Sequence, residues 1–184
     1  MPFTLSPRLK TFDYVGFNRY FLTICTINRE RLFTNEADVG SVRTSLRHAS
    51  DTNLFAVIAY CIMPDHLHVL TEGLEERSDF KEFVRLFKQR SAYAWKQRTG
   101  DLLWQRSYYD RVLRAHDDVF AVARYILANP VRAGLARSPG EYPFAGSFIM
   151  DVADLIGSVQ SGVSIETGGS EDPPLRHRWT HRRV

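Results

Sequence analysis

Residues 60–70 read Tyr60-Cys61-Ile62-Met63-Pro64-Asp65-His66-Leu67-His68-Val69-Leu70, and this stretch decides the fold prediction. A nearly continuous apolar run, Leu54 to Ile62, leads into it and predicts a buried strand. Proline fixes φ and aspartate favours turn hydrogen bonds, so Met63-Pro64-Asp65 predicts a tight turn. The segment from His66 to Thr71 is then expected to form a neighbouring antiparallel strand.

Two histidines flank one leucine at the start of this second strand. Strand side chains alternate faces, so His66 and His68 are expected to point one way, and Leu67 and Val69 the other. A solvated face or a hydrogen-bonded structural pair would also explain two such histidines. Their position directly after a turn, where a site can be open to substrate, favours a pair of metal ligands.

Composition limits the class of protein. A chain of 184 residues is long enough for one core and too short for two ordinary domains. No apolar run approaches the roughly 20 residues that span a bilayer, and the N-terminus shows no secretory signal. Cys25 and Cys61 both lie in predicted strands, which favours buried free thiols in a reducing compartment over a disulfide or a metal site. We therefore expect a cytoplasmic protein without a membrane segment.

Positive charge is concentrated in one region. The net charge is only +3, but the stretch from Arg77 to Arg114 carries 10 Lys/Arg against 4 Asp/Glu, together with eight aromatic residues. Basic side chains neutralise phosphates and aromatic rings stack on unpaired bases, which suits nucleic-acid binding. An amphipathic helix with a solvated basic face and a phenylalanine core explains part of the same pattern.

The remaining elements follow from propensity and capping residues. A β-branched and aromatic segment predicts a strand, 3–4 spacing of apolar residues predicts three helices, and a polar aromatic segment predicts a loop with a short strand. The strands are expected at Arg19–Asn28 and Arg111–Leu113. The first helix is expected at Ala37–Ala49, and the second from Ser78 or Asp79 to Thr99, ending at Gly100. The third is expected to begin at Asp117 or Asp118 and to be limited by Pro130. This order predicts an α+β fold, a ferredoxin-like two-layer sandwich with helices packed on an antiparallel sheet.

Composition changes near residue 157. Ser, Gly, Glu, Asp and Pro dominate up to Pro174, and the chain then ends in a basic segment. We expect residues 1–156 to form one domain and residues 157–184 a mostly disordered, basic-ended tail. The tail could contact nucleic acid or serve only solubility.

A second segment with chemical potential is Ala123 to Leu135. Tyr125 and Asn129 are four residues apart and would share a helix face, although the position of Asn129 before Pro130 weakens this argument. A tyrosine hydroxyl is a possible nucleophile, and an amide oxygen can bind a hard cation. From spacing alone, a tyrosine at this position is more often a core or rim aromatic than a nucleophile.

These motifs together resemble one family. Three motifs, in this order, resemble those of the REP-associated tyrosine transposases. They are the Met-Pro-Asp turn with His66 and His68, the pair Trp104-Gln105, and the segment Tyr125-Ile126-Leu127-Ala128-Asn129-Pro130-Val131-Arg132-Ala133-Gly134. That family belongs to the single-strand transposases with a His–hydrophobic–His motif and one catalytic tyrosine. The resemblance covers roughly residues 10 to 150 and excludes the tail.

The resemblance implies a mechanism and a site. His66, His68 and Asn129 would match ligands of a divalent metal, Mg²⁺ or Mn²⁺, and Tyr125 would match the nucleophile that forms a 5′-phosphotyrosine. The implied substrate is single-stranded DNA beside an imperfect hairpin of the repetitive extragenic palindrome (REP) type. A monomer in the cytoplasm, associated with the nucleoid, is expected rather than a dimer.

Basic and aromatic residues around this site are expected to contact DNA. Tyr108 and Tyr109 are also rival nucleophiles in a basic loop, whereas Trp104 is expected to pack the fold and His116 to lie on the surface. The predicted DNA contacts are Arg85, Lys88, Arg106, Tyr108, Tyr109, Arg111, Arg114 and Arg132. Two other functions remain open: a catalytically weak module that binds nucleic-acid hairpins for regulation, and a phosphodiesterase that uses water instead of tyrosine.

Overall fold

The centre of the structure is a five-stranded antiparallel sheet in the order β4-β1-β3-β2-β5. The computed structural model describes residues 12–157, so the predicted tail, apart from Gly157, lies outside the described residues. The strands are β1 (Arg19–Cys25), β2 (Phe55–Met63), β3 (His66–Gly73), β4 (Tyr109–Leu113) and β5 (Ala145–Gly146). The predicted hairpin around Pro64-Asp65 is confirmed as the β2–β3 connection.

Helices cover both faces of the sheet. They are α1 (Glu36–Asn53), α2 (Phe80–Thr99), α3 (Val119–Leu127), α4 (Asn129–Arg132) and α5 (Val152–Gly157). The first six regular elements run strand, helix, strand, strand, helix, strand, and their strands lie in the order β4-β1-β3-β2. This is the ferredoxin-like arrangement, so the predicted α+β class is confirmed, with β5 added beside β2. None of the helices among residues 12–157 is long and apolar enough to cross a membrane.

Alternation along the strands divides the core in two. Leu67 and Val69 of β3 belong to the cluster that includes the apolar faces of α1 and α2. Leu70 of β3 and Cys61 of β2 belong to the cluster that includes α3 and α5. Because side chains two apart share a face, the second layer also determines what surrounds the histidines.

The chain limits its helices with the residues expected from capping rules. The Asp79 side chain accepts hydrogen bonds from the backbone N–H groups of Lys81 and Glu82 and so begins α2. Gly100 ends α2 in the left-handed conformation, with φ 84°. Asp118, one of the two predicted caps, begins α3 by accepting from the backbone N–H of Ala121.

The structure corrects several predicted boundaries. β1 ends at Cys25 rather than Asn28, because Ile27–Arg29 form a 3₁₀ turn in which Asn28 and Arg29 are left-handed. β4 begins two residues earlier than predicted, because it pairs with β1 from Tyr109 onward. α3 ends at Leu127, and Pro130 lies in the first turn of the separate helix α4, where proline is tolerated.

Candidate active site on the sheet

The two histidines lie on the sheet face covered by α3, as the alternation of β3 predicted. In the registers of the sheet, Cys25 of β1 is opposite His66, and Thr23 of β1 is opposite His68. On the other side, Cys61 of β2 is opposite His68. The pair is therefore held between two neighbouring strands and is only partly exposed.

Each histidine has one ring nitrogen tied to the protein and the other directed at its partner. His66 Nδ1 lies 2.6 Å from Asp65 Oδ1, and His68 Nδ1 lies 2.8 Å from Thr23 Oγ1. The two Nε2 atoms are 3.1 Å apart. Anchored Nδ1 atoms and converging Nε2 atoms are the arrangement that histidine metal ligands adopt.

The Nε2 separation fits one shared ion. Two nitrogens at about 2.1 Å from a metal are about 3.0 Å apart at right angles and about 3.4 Å apart in a tetrahedron. Among residues 12–157, no cluster of three or more His, Cys, Asp or Glu side chains is arranged to hold a metal. Within that part of the chain, further protein ligands would therefore come from amide or hydroxyl oxygens, and water or a phosphate could fill other positions.

Electrostatics keep the second histidine uncharged. Desolvation by burial is the largest cause, followed by electrostatic interaction with His66, Arg132 and Arg29. Together they outweigh the opposing effect of Asp65 and hold the pKa of His68 well below its usual value. The neutral imidazole is the form that binds metals. His68 therefore needs to lose no proton to bind an ion at neutral pH.

Asp65 both makes the turn and orients His66. Burial opposes ionisation of its carboxyl, but the hydrogen bond and charge of His66 and the charge of Arg29 outweigh it, so the pKa of Asp65 lies below its usual value. The sequence predicted turn formation for Asp65 and gave support of the histidine only as a lesser possibility. The structure shows both roles in the same residue.

Tyr125 is brought to the histidine face by α3. Its ring stands edge-on to Phe21, with 6.5 Å between centroids, and Phe21 stacks on His68 at 5.4 Å. On Tyr125 itself, the Arg132 guanidinium lies 4.1 Å from the ring centroid and donates to the Tyr125 carbonyl oxygen at 2.7 Å. The ring is thus fixed between an aromatic neighbour and a cation, one ring away from the histidine pair.

Asn129 stays beside Tyr125 although the helix is interrupted. Its side-chain nitrogen donates to the carbonyl oxygens of Tyr125 at 3.1 Å and Ile126 at 3.3 Å. The amide oxygen, which is the atom that could bind a cation, is left for another partner. The relation expected from the four-residue spacing therefore survives the break between α3 and α4, because Ala128 keeps helical backbone angles.

The predicted DNA contacts separate into two groups, and the first lies around the histidine face. Tyr109 of β4 is opposite Thr23 and so lies in the same cross-strand row as His68. Arg111, two residues further on, pairs with Asp117 at 2.8 Å. Arg114 follows β4 directly and is exposed. Tyr109, Arg111 and Arg132 therefore lie along the edge of the site near β4 and α3. Arg114 is farther away, because it follows Leu113, which is opposite Arg19 at the end of β1 remote from the histidines.

The second group belongs to α2 and the loop beside it, in the layer on the other face of the sheet. Arg85 is exposed and pairs with Glu82 at 2.7 Å. The Lys88 ammonium donates to the carbonyl oxygens of Gln105 at 2.8 Å and Arg106 at 2.9 Å, and lies 5.7 Å from the Tyr108 ring centroid. Lys88 therefore holds this loop on the side of α2. The loop also reaches β1 beside the histidines, because the backbone N–H of Gln105, next to Arg106, donates to the carbonyl oxygen of Cys25 at 3.0 Å, and Cys25 is opposite His66.

The predictions for Trp104 and His116 are confirmed. Trp104 is 8% exposed, packs against Phe33 and Phe87, and donates from Nε1 to Ser91 Oγ at 2.8 Å. His116 is exposed in the turn before α3.

Sequence reasoning missed three contributors, Phe21, Thr23 and Arg29. All three come from β1 or the turn after it, roughly 40 residues before the histidines. Alternation along β1 does place Phe21 and Thr23 on one face, but the sequence contained no sign of which strand would lie beside β3. For Arg29 we find no signal in the sequence.

The chain is similar to proteins of one transposase family. The family described as "Transposase IS200 like" matches residues 17–129. A REP-associated tyrosine transposase of Escherichia coli (strain K12) is 25% identical over 141 residues, which is 76% of this chain and 82% of the relative. A Haemophilus influenzae protein named as a candidate REP-associated tyrosine transposase is 25% identical over 156 residues, 76% of this chain and 85% of the relative.

A solved structure shares the fold. It is described as a REP-associated tyrosine transposase bound to a REP hairpin, and it matches with a TM-score of 0.62 at 22% identity. The match covers 84% of this chain and 96% of that chain. At this level of identity the likeness bears on the architecture, which is an α+β fold with helices packed on an antiparallel sheet.

Proposed function

The chain belongs to the IS200-like transposase family, and from this membership and its site we propose that it is a metal-dependent single-stranded DNA endonuclease and strand transferase. One observation carries the proposal. His66 and His68 present converging Nε2 atoms on the sheet face against which Tyr125 packs through Phe21. Ion ligands and a hydroxyl nucleophile on one face are the parts that phosphodiester cleavage needs.

The proposed ligands are His66, His68 and Asn129, and the proposed ion is Mg²⁺ or Mn²⁺. When bound, such an ion polarises the scissile phosphate and offsets the negative charge that develops there. Asp65 and Thr23 keep the Nδ1 atoms engaged, so that the Nε2 atoms stay directed into the site. The amide oxygen of Asn129 is free of the helix carbonyls that its nitrogen binds.

The reaction is a transesterification. The Tyr125 hydroxyl oxygen attacks phosphorus, the bond from phosphorus to the 3′ oxygen breaks, and the 3′ oxygen leaves as a hydroxyl carrying one proton in place of the one lost by the phenol. The product is a 5′-phosphotyrosine, and attack on it by another 3′-hydroxyl reverses the chemistry and joins strands. Arg132, which lies over the ring and donates to the Tyr125 carbonyl oxygen, holds the nucleophile in position.

The proposed substrate is single-stranded DNA beside an imperfect hairpin of the REP type. The support is that relatives carry REP in their names and that the structural neighbour is described as bound to a REP hairpin. Tyr109, Arg111 and Arg132 lie along the site and would contact the strand near the scissile phosphate. Arg114, at the end of β4 remote from the histidines, would contact DNA farther from that phosphate. Arg106, next to Gln105 in the loop bonded to Cys25, would contact the strand at the His66 end of the site. Arg85, Lys88 and Tyr108 would contact DNA only where it extends toward α2.

We also propose that one chain is sufficient for activity. α3 packs against the sheet of its own chain, and its Ala123 and Ile126 are buried in the same cluster as Cys61 and Leu70. The nucleophile and the histidines therefore come from the same molecule, and a monomer needs no exchange of α3.

A denaturing gel tests this function. Purified protein is incubated with labelled hairpin DNA carrying a single-stranded flank, with Mn²⁺ or with EDTA. Wild type is expected to give a metal-dependent, protease-sensitive protein–DNA band that Tyr125→Phe and His66→Ala abolish. Tyr93→Phe, on the exposed face of α2, is the matched control and should retain the band.

Other outcomes point to the other functions. Cleavage that persists in Tyr125→Phe would assign the nucleophile to Tyr108, Tyr109 or water. Adding Tyr108→Phe or Tyr109→Phe to Tyr125→Phe separates these, because cleavage by water survives both double variants. Tight hairpin binding without cleavage of any hairpin, in the presence of Mn²⁺, would indicate a regulatory binding module.

A further inference from the structure

The chain after β1 makes a 3₁₀ turn with unusual backbone angles. Asn28 has φ 50° and Arg29 has φ 59°, so two consecutive residues other than glycine are left-handed. Such residues are uncommon because Cβ approaches the neighbouring carbonyl. They persist where the surrounding structure holds them, and they concentrate at functional sites.

This turn is attached to the turn that carries His66. The backbone N–H of Thr26 donates to the carbonyl oxygen of Asp65 at 3.0 Å, and Thr26 Oγ1 lies 2.9 Å from the same oxygen. The backbone N–H of Phe33 donates to the carbonyl oxygen of Pro64 at 3.0 Å. The segment from Thr26 to Phe33 is thus fixed to both residues of the β2–β3 turn.

The Arg29 side chain continues this attachment into the site. Its Nε lies 3.4 Å from Asp65 Oδ2, and its terminal nitrogen donates to Cys25 Sγ at 2.9 Å. The other oxygen of the same carboxylate, Asp65 Oδ1, is the one 2.6 Å from His66 Nδ1. Cys25 is the cross-strand partner of His66. Arg29 therefore contacts the residue before His66 and the residue beside it.

We propose that Arg29 is a positioning residue of the ion site, which fixes the Asp65 carboxylate so that His66 keeps its Nε2 directed at the ion. The left-handed turn serves to place the guanidinium between Cys25 and Asp65. A carboxylate bonded to the second ring nitrogen sets the tautomer and orientation of a ligand histidine, and loss of such support weakens metal binding. The guanidinium suits this task because its planar fork binds two acceptors at fixed angles.

The inference rests on the proposed function, because it needs an ion at His66 and His68. The competing explanation is that Arg29 binds a DNA phosphate directly. The two roles differ in what they affect: positioning changes ion affinity without DNA, whereas a phosphate contact changes DNA affinity without an ion.

Titration of the DNA-free protein with Mn²⁺, followed by the electron paramagnetic resonance signal of free Mn²⁺, tests the positioning role. Arg29→Gly and Arg29→Ala are expected to bind Mn²⁺ about 10–100-fold more weakly than wild type. Glycine accepts the left-handed backbone, so Arg29→Gly removes the side chain without straining the turn. Two controls should keep wild-type affinity: Asn28→Gly, which relaxes the same turn, and Arg31→Ala, which removes an exposed neighbouring cation.

A double-mutant cycle shows whether Arg29 acts through Asp65. If it does, Arg29→Gly combined with Asp65→Ala should bind Mn²⁺ no more weakly than Asp65→Ala alone, within about two-fold. Hairpin binding in EDTA should be within about two-fold of wild type for both Arg29 variants.

Several results would overturn the inference. Unchanged Mn²⁺ affinity in folded Arg29→Gly, independent losses in the double mutant, or a defect confined to DNA binding in EDTA would each do so. In those cases the proposed function stands, because wild type still binds the ion. If wild type itself binds no Mn²⁺, the proposed ion site fails, and the role of Arg29 fails with it.

Discussion

The hydrogen bond between Thr23 and His68 gives a sharp test of how the site is built. Thr23 is 5% exposed, and its Oγ1 lies 2.8 Å from His68 Nδ1. Thr23→Val replaces the hydroxyl with a methyl group of nearly the same shape and keeps a β-branched residue in the strand. The substitution therefore leaves the packing almost unchanged and removes the hydrogen-bond partner of one ring nitrogen of the part-buried His68.

The expected effect follows from burial. A buried polar atom that loses its partner costs about 1–3 kcal/mol in the free energy of unfolding. The hydrogen bond joins two uncharged groups, because burial and neighbouring cations lower the pKa of His68 and keep its ring neutral. Screening of charges by solvent therefore does not weaken it. With a urea dependence of about 2 kcal/mol per molar, the unfolding midpoint should fall by about 0.5–1.5 M.

Urea unfolding of the ion-free protein measures this shift, with Thr23→Ser as the control that keeps the hydroxyl. Serine should lose only the methyl contribution of about 0.8 kcal/mol. A cycle with His68→Ala should show that the two residues are coupled by at least about 1 kcal/mol. A Thr23→Val midpoint equal to wild type, or a coupling within about 0.5 kcal/mol of zero, would refute the view that Thr23 anchors His68.

Two further stability predictions concern the layers that support the site. Ser91→Ala should lower the free energy of unfolding by about 1–3 kcal/mol, because the buried Trp104 Nε1–H loses its acceptor. Urea denaturation followed by tryptophan fluorescence measures this loss, and an unchanged midpoint would show that the hydrogen bond contributes nothing. Gly73→Ala should lower the free energy of unfolding by about 3 kcal/mol, because the new Cβ would overlap the carbonyl oxygen of Gly16. Gly40→Ala should instead raise the free energy of unfolding by about 0.5–1 kcal/mol, because its Cβ meets only a flexible side chain within α1. Equal shifts of the melting temperature in the two glycine variants would contradict this reasoning.

Much of the fold could be predicted because its signals are local. Asp79, Gly100 and Asp118 mark helix ends through hydrogen bonds and backbone angles that depend only on near neighbours. The Pro64-Asp65 turn fixed the β2–β3 pairing for the same reason. The prediction of β1 was wrong at its end, because the left-handed turn at Asn28 and Arg29 is held by contacts to residues 64 and 65.

The candidate site was predictable in part. The motif residues His66, His68, Tyr125 and Asn129 were recognised because they lie in two short segments with characteristic spacing. Their roles as ligands and nucleophile stay predictions for the experiments above. Arg85 shows why a charge pattern locates a surface poorly: it shares a basic stretch with Arg111, yet the two lie in different layers because α2 and β4 are separate elements.

Periodicity and turn residues were enough to locate the central parts of β1 to β4, to put both histidines on one face, and to place a tyrosine one helical turn before an asparagine. These properties follow from the two-residue period of strands and the 3.6-residue period of helices, which depend only on neighbouring residues in the sequence. The two-residue strand β5 was not predicted. Three contacts of the site depend on the tertiary structure. β1 brings Phe21 and Thr23 to His68, and the turn after β1 places Arg29 beside Asp65. α3 covers the histidine face. The physical reason is that strand order and the packing of helices depend on burying distant apolar surfaces together, which no local period encodes.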